Sequence, residues 1–421
     1  MFSRIILILP FILLLGAIAI APFANKKWWD KNYPFVSVIL ALIIIIYYFL
    51  SGQSLKLIIS LEDYFSFIVL LFSLYVISGG IFLRISGKAT PLSNLLLLAF
   101  GALIANIFGT TGAAMLLVRP FLSSNEYRFR PYHLVFFIFI VCNTGGSLSP
   151  VGDPPLFLGY LKGIPFFWVT QNLFIFWLIT NAYLLSLFYF IDRNNFSKIK
   201  QNLKEEIGKK GENVRYGGLL NLIPLGIIIG AVFITTPVFL REGIMLLTAI
   251  VSYKITPKNI HESNKFNFKP IKEVAILFFG IFVTIIPALQ LLSEYSKSFG
   301  LSDAGDFFWG CGFLTSFLDN APAYLNFLTV VMANNGYDIN VHTDMVKFLL
   351  QGNVYAVAIS VSSVFFGAMT YIGNGPNFMV KSITEHKFPK GKIPGFPGYL
   401  GYSLTILLPF YFLLWLLFFR G

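Results

Sequence analysis

Charged residues are scarce in this sequence. Asp and Glu together number 19 and Lys and Arg 31, so that only 12% of the 421 residues are charged. Soluble domains carry about 25% charged residues, which excludes an ordinary soluble fold. Hydrophobic residues make up 56% of the chain and aromatic residues 17%, and the mean hydropathy is +0.75. The composition predicts an all-α polytopic membrane protein.

Cysteine and histidine are also scarce, with two and four residues. Cys142 and Cys311 lie within or beside apolar segments, which argues against a disulfide framework. The histidines show no metal-ligand spacing such as HExxH. Ser147 and Ser316 have no histidine near them in sequence that could act as a base, which argues against nucleophilic catalysis. We therefore expect no enzyme, and no cofactor other than Na+ and/or H+ as coupling ions.

The net charge of +12 reflects membrane topology rather than nucleic-acid binding. The basic residues lie in short segments between apolar stretches, and most of them fall in loops on one predicted face. That face should be cytoplasmic, because cytoplasmic loops are enriched in Lys and Arg. Both termini are then outside a bacterial inner membrane, with the lipid bilayer as the main partner.

Apolar runs of about 20 residues, the length that crosses the hydrocarbon core, predict ten crossings. The basic cluster at Lys26 and Lys27 follows the first run rather than preceding it, so we interpret the run as a retained helix and not as a cleaved signal peptide. The ten crossings are predicted at 5–23, 35–50, 64–83, 132–160, 171–191, 219–239, 242–253, 273–292, 354–380 and 399–419.

Polar segments rich in Gly, Pro, Asn and Asp interrupt chain that is otherwise apolar. CNTGGSLSPVGDPP at 142–155 breaks the fourth crossing, and GNGPN at 373–377 breaks the ninth. Two further stretches, 94–122 and 307–334, have polar centres, and each arm is too short to cross. Unpaired backbone at membrane depth is tolerated only where it lines a cavity or holds an ion. The pattern predicts two re-entrant hairpins and two discontinuous helices.

Weak internal similarity favours an inverted repeat. The segment 80–82 matches 280–282, 110–114 matches 319–323, and 146–155 matches 367–376. The three matches occur in the same order in both halves. We therefore predict a first transmembrane repeat at 1–191, a cytoplasmic linker at 192–218 and a second, inverted five-helix repeat at 219–421.

The polar breaks supply the candidate binding residues. Asn and Thr side chains and flexible Gly carbonyls offer the oxygen ligands that hard cations prefer. A carboxylate at the bilayer centre needs a cation, a partner or a proton. Asp319 is the strongest candidate for alternate binding of Na+ and H+, and Asp153 is next; for Asp153, helix capping, a site role or both stay open. The candidates for ion or substrate binding are Thr110, Thr111, Asn143, Thr144, Gly145, Ser147, Asp153, Asp319, Asn320, Thr370, Asn374 and Asn377.

We expect these residues to form two clusters near the midplane, one in each half. The first contains Thr110 and Thr111 with Asn143 and Thr144. The second contains Asp319 and Asn320 together with Thr370, Asn374 and Asn377. The Na+ candidates among them are Asn143, Thr144, Asp319 and Asn374.

The segment NTGGSLSPVGDPPLFLGYLKGIPFFW at 143–168 resembles the ion transporter superfamily. That grouping contains citrate-transporter-like permeases, arsenite permeases and one type of Na+/H+ antiporter. The resemblance implies that Asn143, Thr144 and Gly145 match the first ion-binding motif, with Asn374 and Gly375 in the second. Dicarboxylate-transporting members carry Ser-Asn-Thr in both motifs, whereas this chain has Cys-Asn-Thr and Gly-Asn-Gly.

These observations favour a secondary active transporter that exchanges Na+ for H+. The alternative is Na+- or H+-coupled transport of citrate or another organic anion. An intramembrane aspartyl protease using Asp153 and Asp319 and a purely structural scaffold are weaker interpretations. A homodimer through the scaffold helices is left open by the sequence.

Overall fold

The computed structural model describes residues 6–86, 89–199, 213–389 and 392–420. Within them the chain is helical almost throughout. The first half contains helices α1 (Leu9–Ala24), α2 (Lys26–Leu50), α3 (Ser54–Gly79), α4 (Pro91–Ser124), α5 (Pro131–Ile140), α6 (Pro154–Leu161) and α7 (Phe166–Ser197). The second half contains α8 (Leu222–Val232), α9 (Leu240–Ile255), α10 (Lys258–Ser263), α11 (Lys269–Thr284), α12 (Ile286–Glu294), α13 (Ala304–Phe317), α14 (Asn320–Asn334), α15 (His342–Gln351), α16 (Asn353–Phe365), α17 (Gly375–Lys387) and α18 (Phe396–Leu414).

Seven helical segments in the described residues are long and apolar enough to cross a membrane, or eight if α15 and α16, bent by 100°, count as one span. The polytopic, all-α prediction is therefore confirmed. Some predicted crossings correspond to shorter apolar helices, including α1 and α8, and the predicted start of the first crossing at residue 5 lies outside the described residues. The count of ten stays a prediction.

A two-stranded antiparallel ribbon is an addition to the all-helical expectation. Strand β1 (Phe82–Ser86) follows α3, and strand β2 (Asn213–Gly217) precedes α8, with Arg84 opposite Arg215. Strand β2 lies within the predicted linker at 192–218, of which 200–212 falls outside the described residues, and it pairs with β1 of the first half. Helix α7 also continues to Ser197, past the predicted start of that linker. Part of the linker is therefore regular structure.

The helices are interrupted at all four polar segments. Helix α4 kinks at Gly109, where φ is 72° and ψ 158°, a conformation that glycine adopts at little cost. Helices α13 and α14 are separated at Leu318 and Asp319. A 3-10 turn, Thr144–Leu148, separates α5 from α6, and a second, Phe366–Met369, separates α16 from α17.

Candidate functional site

Asp153 lies at the meeting point of the four interruptions. It is the N-cap residue of α6, but its side chain makes no capping hydrogen bond, so capping alone does not describe its role. Its carboxylate instead accepts hydrogen bonds from Thr110 Oγ1 at 2.7 Å, Asn374 Nδ2 at 3.0 Å and Asn320 Nδ2 at 2.5 Å. Asp153 is 1% exposed. Three donors from distant segments therefore hold one buried carboxylate.

An asparagine network joins this carboxylate to the other broken helix. Asn374 Nδ2 also lies 3.2 Å from Asn143 Oδ1 and 3.1 Å from the carbonyl of Cys142. Asn143 donates to Asn377 Oδ1 at 2.8 Å, and Asn377 donates to the carbonyls of Gly367 and Thr370. The two predicted clusters are thus joined into one network, because Asn143 bonds to residues of the second half.

Thr144 and Gly145 form hydrogen bonds with residues outside this asparagine network. Thr144 Oγ1 lies 3.0 Å from Asn181 Oδ1. The Gly145 carbonyl accepts hydrogen bonds from Asn106 Nδ2 at 2.7 Å and Trp177 Nε1 at 2.9 Å. Protein donors therefore satisfy the freed backbone at this break, as buried carbonyls require. Their role as ion ligands stays a prediction.

Asn106, Asn181 and Trp177 support the break, and sequence reasoning missed them. Asn106 also accepts from the backbone N–H of Leu148 through Oδ1 at 2.7 Å. The signal for Asn106 is its position as a lone polar side chain within the apolar run LIANIF. A half-buried amide in such a run still has to find partners.

Equivalent hydrogen bonds occur at the two breaks. Ser149 Oγ donates to the Asn106 carbonyl at 2.6 Å, and Thr370 Oγ1 donates to the Ser316 carbonyl at 2.5 Å. The sequence match of 146–155 with 367–376 places Ser149 opposite Thr370. Ser147 donates within its own turn to the Thr144 carbonyl at 3.0 Å. Ser147 and Thr370 therefore stabilise the breaks in this structure.

A cavity of about 80 Å³ adjoins the network. Its polar wall includes Thr110, Thr111, Asp153, Asp319 and Asn374, and the rest is mainly apolar; no Lys, Arg or His is among the described residues that line it. Asp319 Oδ1 accepts from the backbone N–H of Ala321 at 3.2 Å at the start of α14. The described part of the cavity wall thus carries two carboxylates and no basic residue.

Asn320 leaves one polar atom unsatisfied beside the site. The residue is completely buried. Its amide nitrogen donates to Asp153, but its Oδ1 has no hydrogen-bond partner in the described part of the chain. An unpaired buried acceptor costs free energy. Asn320 therefore offers an oxygen ligand next to the central carboxylate.

The comparisons with known proteins decide the family. The sequence family described as "Putative citrate transport" matches residues 2–419. The chain belongs to this family. No curated protein matches the sequence. The resemblance at 143–168 to citrate-transporter-like permeases is therefore confirmed, and the chain is a multi-pass membrane protein of a transporter family.

In this citrate-transport family member, four helical segments begin at the same site. They are the second arm of α4 after Gly109, and helices α6, α14 and α17 at Pro154, Asn320 and Gly375. Helix N-termini carry partial positive charge. Converging N-termini stabilise negative charge at this point, whether it belongs to Asp153 or to a bound anion.

Transition-metal ligation has no support in the described residues, where no group of three His, Cys, Asp or Glu side chains could hold a metal ion. The polar atoms at the site are carboxylate, amide and hydroxyl groups. Their oxygens suit hard cations such as Na+. The arrangement therefore has the donor chemistry for a proton or a hard cation, and binding at Asp153 and Asp319 stays a prediction.

Proposed function

We propose that the chain is a secondary active transporter that exchanges Na+ for H+ across the membrane. The observation that carries this proposal is the pair of carboxylates, Asp153 and Asp319, in one cavity whose described lining contains no basic residue. A buried carboxylate without a cationic partner binds a proton or a cation. Antiport follows when the two ions use the same groups in turn.

Four oxygen-bearing side chains would bind the cation in this mechanism. Asp153 and Asp319 supply charge, Asn320 Oδ1 supplies the unpaired carbonyl oxygen, and Thr111 adds a hydroxyl on the cavity wall. When Na+ leaves, protons take its place on the carboxylates, because two uncompensated negative charges in a buried site repel each other. Thr110 and Asn374 position Asp153 throughout.

The proposal includes two inverted five-helix repeats, 1–191 and 219–421, with ten crossings in total. The two short helices α6 and α17 both begin at the site, with Asp153 and Asn374 as their N-cap residues. These two residues occupy matching positions of 146–155 and 367–376. The paired hydrogen bonds of Ser149 and Thr370 add support. In this arrangement α4 and the α13–α14 pair are re-entrant hairpins that enter from opposite faces.

Ion-coupled citrate transport is the second candidate. The family description and the four helix N-termini at the cavity favour it, because half-helix N-termini bind anionic substrate groups in transporters. The described residues of the cavity wall include no Lys, Arg or His, which weighs against it, since bidentate recognition of carboxylates favours Arg. Under both candidates we expect the protein to lie in a bacterial inner membrane. Self-association as a homodimer is a further expectation.

Purified protein in liposomes with an internal pH-sensitive dye tests the two candidates. Antiport predicts that a Na+ pulse drives proton movement, and that Asp319→Asn lowers the rate at least tenfold. The matched control is Glu62→Gln, an exposed acid on α3, which should transport at the normal rate. Sodium-independent dye signals together with uptake of labelled citrate would reject antiport in favour of the second candidate.

A further inference from the structure

Lys162 makes the contact on which this inference rests. It is the C-cap residue of α6, and its Nζ lies 2.6 Å from Asp63 Oδ2 on α3 and 2.9 Å from Asn340 Oδ1 of the second half. The side chains of Lys162 and Asp63 are 10% and 20% exposed. The contact therefore joins three distant segments in a largely buried ion pair.

One face of α3 leads from this ion pair to the cavity. Asp63, Phe67, Leu70 and Leu74 recur at spacings of three and four residues, which places them on one side of the helix. Phe67 packs against Phe157 of α6, with ring centroids 6.4 Å apart. Near Asp63, α3 therefore contacts α6 through the ion pair of Asp63 with Lys162 and the ring contact of Phe67 with Phe157.

Farther along, the same helix lines the cavity. Leu70, Leu74 and Tyr75 all contribute to its wall, and Pro270 at the start of α11 contributes from the second half. Pro270 lies beside Lys269 and Lys272, on the face predicted to be cytoplasmic. The cavity lining therefore reaches from Asp153 to the start of α11, whereas Asp63 and Lys162 are not among the lining residues.

We propose that Asp63, Lys162 and Asn340 form the gate that closes the cavity toward the face predicted to be outer. This inference rests on the proposed transport function and names the residues that control access to its site. Helix α6 connects the gate to the binding site, because it begins after Asp153 and has Lys162 as its C-cap residue. Its eight residues span about 12 Å. A rigid shift of α6 that separates Lys162 from Asp63 would open the outer path next to the binding carboxylate.

A reversible cross-link tests the gate. In the pair Asp63→Cys with Lys162→Cys, a short bifunctional methanethiosulfonate reagent should lower transport at least tenfold, and a reductant should restore it. The pair Lys381→Cys with Glu385→Cys is the matched control, because it replaces an ion pair within one helix, α17, whose cross-linking leaves α3 and α6 free. The native cysteines, both fully buried, give the background. Undiminished transport after complete cross-linking of the α3–α6 pair would overturn the gate.

An accessibility measurement separates the gate from the identity of the transported ion. A cysteine at Leu71, on the cavity wall, is labelled with a membrane-impermeant thiol reagent added from the outer side. Lys162→Gln should raise the labelling rate at least fivefold, whereas Lys381→Gln should leave it unchanged. This result needs no substrate, so it stands if Na+/H+ exchange fails. Equal labelling rates in the Lys162→Gln and unsubstituted backgrounds would reject the gate even if exchange is observed.

Discussion

At the scale of single residues, Asp153 and Asn374 occupy matching positions in the two halves but differ in charge. They are hydrogen-bonded to each other at 3.0 Å. Two carboxylates at this separation could not both be ionised at neutral pH. The Asp–Asn pair therefore places one titratable group where the two halves meet, with an amide that holds it in position.

Exchanging the two side chains tests whether the position or the charge is decisive. Asp153→Asn alone should lower ion exchange at least tenfold, because the central carboxylate is lost. Asn374→Asp alone should also impair exchange, because it creates a second acid 3 Å from the first. In the double variant one carboxylate and one amide face each other again, and we expect at least tenfold recovery over Asp153→Asn. Dye-based proton flux in liposomes measures all three.

A double variant as inactive as Asp153→Asn would show that the two positions are not equivalent. Each variant is compared with Glu62→Gln for folded yield and monodispersity in detergent. Reduced yield of the double variant alone would indicate a packing defect, and the comparison is then made per folded molecule.

The sequence named two acids as candidate ion ligands, and both line the cavity; their ranking stays a prediction. Asp319 was expected to be the main ion-binding acid and Asp153 the second. In the structure Asp153 has three side-chain donors, whereas Asp319 accepts one backbone hydrogen bond. The donors come from positions 43, 167 and 221 residues away. Sequence proximity carries no information about such contacts, so the donors around Asp153 could not be predicted from the sequence.

At the scale of elements, Gly373 and Gly375 of the second break differ in how tightly the surrounding backbone packs against them. A pair of alanine variants tests this difference. A Cβ on Gly373 would lie 2.6 Å from the Gly367 carbonyl oxygen and 2.9 Å from that of Thr315, whereas a Cβ on Gly375 meets no atom within 4 Å. Backbone atoms cannot move aside as a flexible side chain can. Gly373→Ala should therefore destabilise the protein by about 1–3 kcal/mol, and Gly375→Ala should be close to neutral. Thermal unfolding in detergent compares the two; equal midpoints would contradict the packing at this break.

Arg128 and Asp192 form a buried ion pair that joins the end of α7 to the loop after α4. Both side chains are almost fully buried, and Asp192 also accepts from Asn94 and Tyr132. Removing one partner leaves an uncompensated buried charge. We expect Arg128→Met to cost about 3–5 kcal/mol of stability.

Adding Asp192→Asn to Arg128→Met should recover much of this loss, because it removes the orphaned charge. Arg193→Ala, at the exposed neighbouring position, should change stability by less than about 0.5 kcal/mol. Thermal unfolding in one detergent measures the series. An Arg128→Met variant as stable as the Arg193→Ala control would show that the ion pair has no structural role.

At the scale of the whole molecule, hydropathy and helix-breaking residues carried most of the information about the fold. The long apolar helices and the interruptions at Gly109, Asn143, Asp319 and Asn374 were predicted, because each leaves a local pattern. The β1–β2 ribbon was not, because it pairs two five-residue segments more than 120 positions apart, and neither has a distinctive period. The joining of the two clusters into one network was not predicted either, because it depends on how the two halves pack against each other.

The opposite insertion of the two hairpins is the whole-molecule prediction that most directly tests the inverted repeat. Glu126 lies at the base of α4, and Ser302 precedes α13; both are exposed. In intact cells, a membrane-impermeant maleimide should label Ser302→Cys at once but label Glu126→Cys only after permeabilisation. Lys56→Cys and Lys258→Cys, on the predicted outer and cytoplasmic faces, calibrate the two responses. If both hairpin cysteines react from the same side, the two halves cannot be inverted copies. If the sides are exchanged, the repeat stands and only the orientation inferred from the basic residues is reversed.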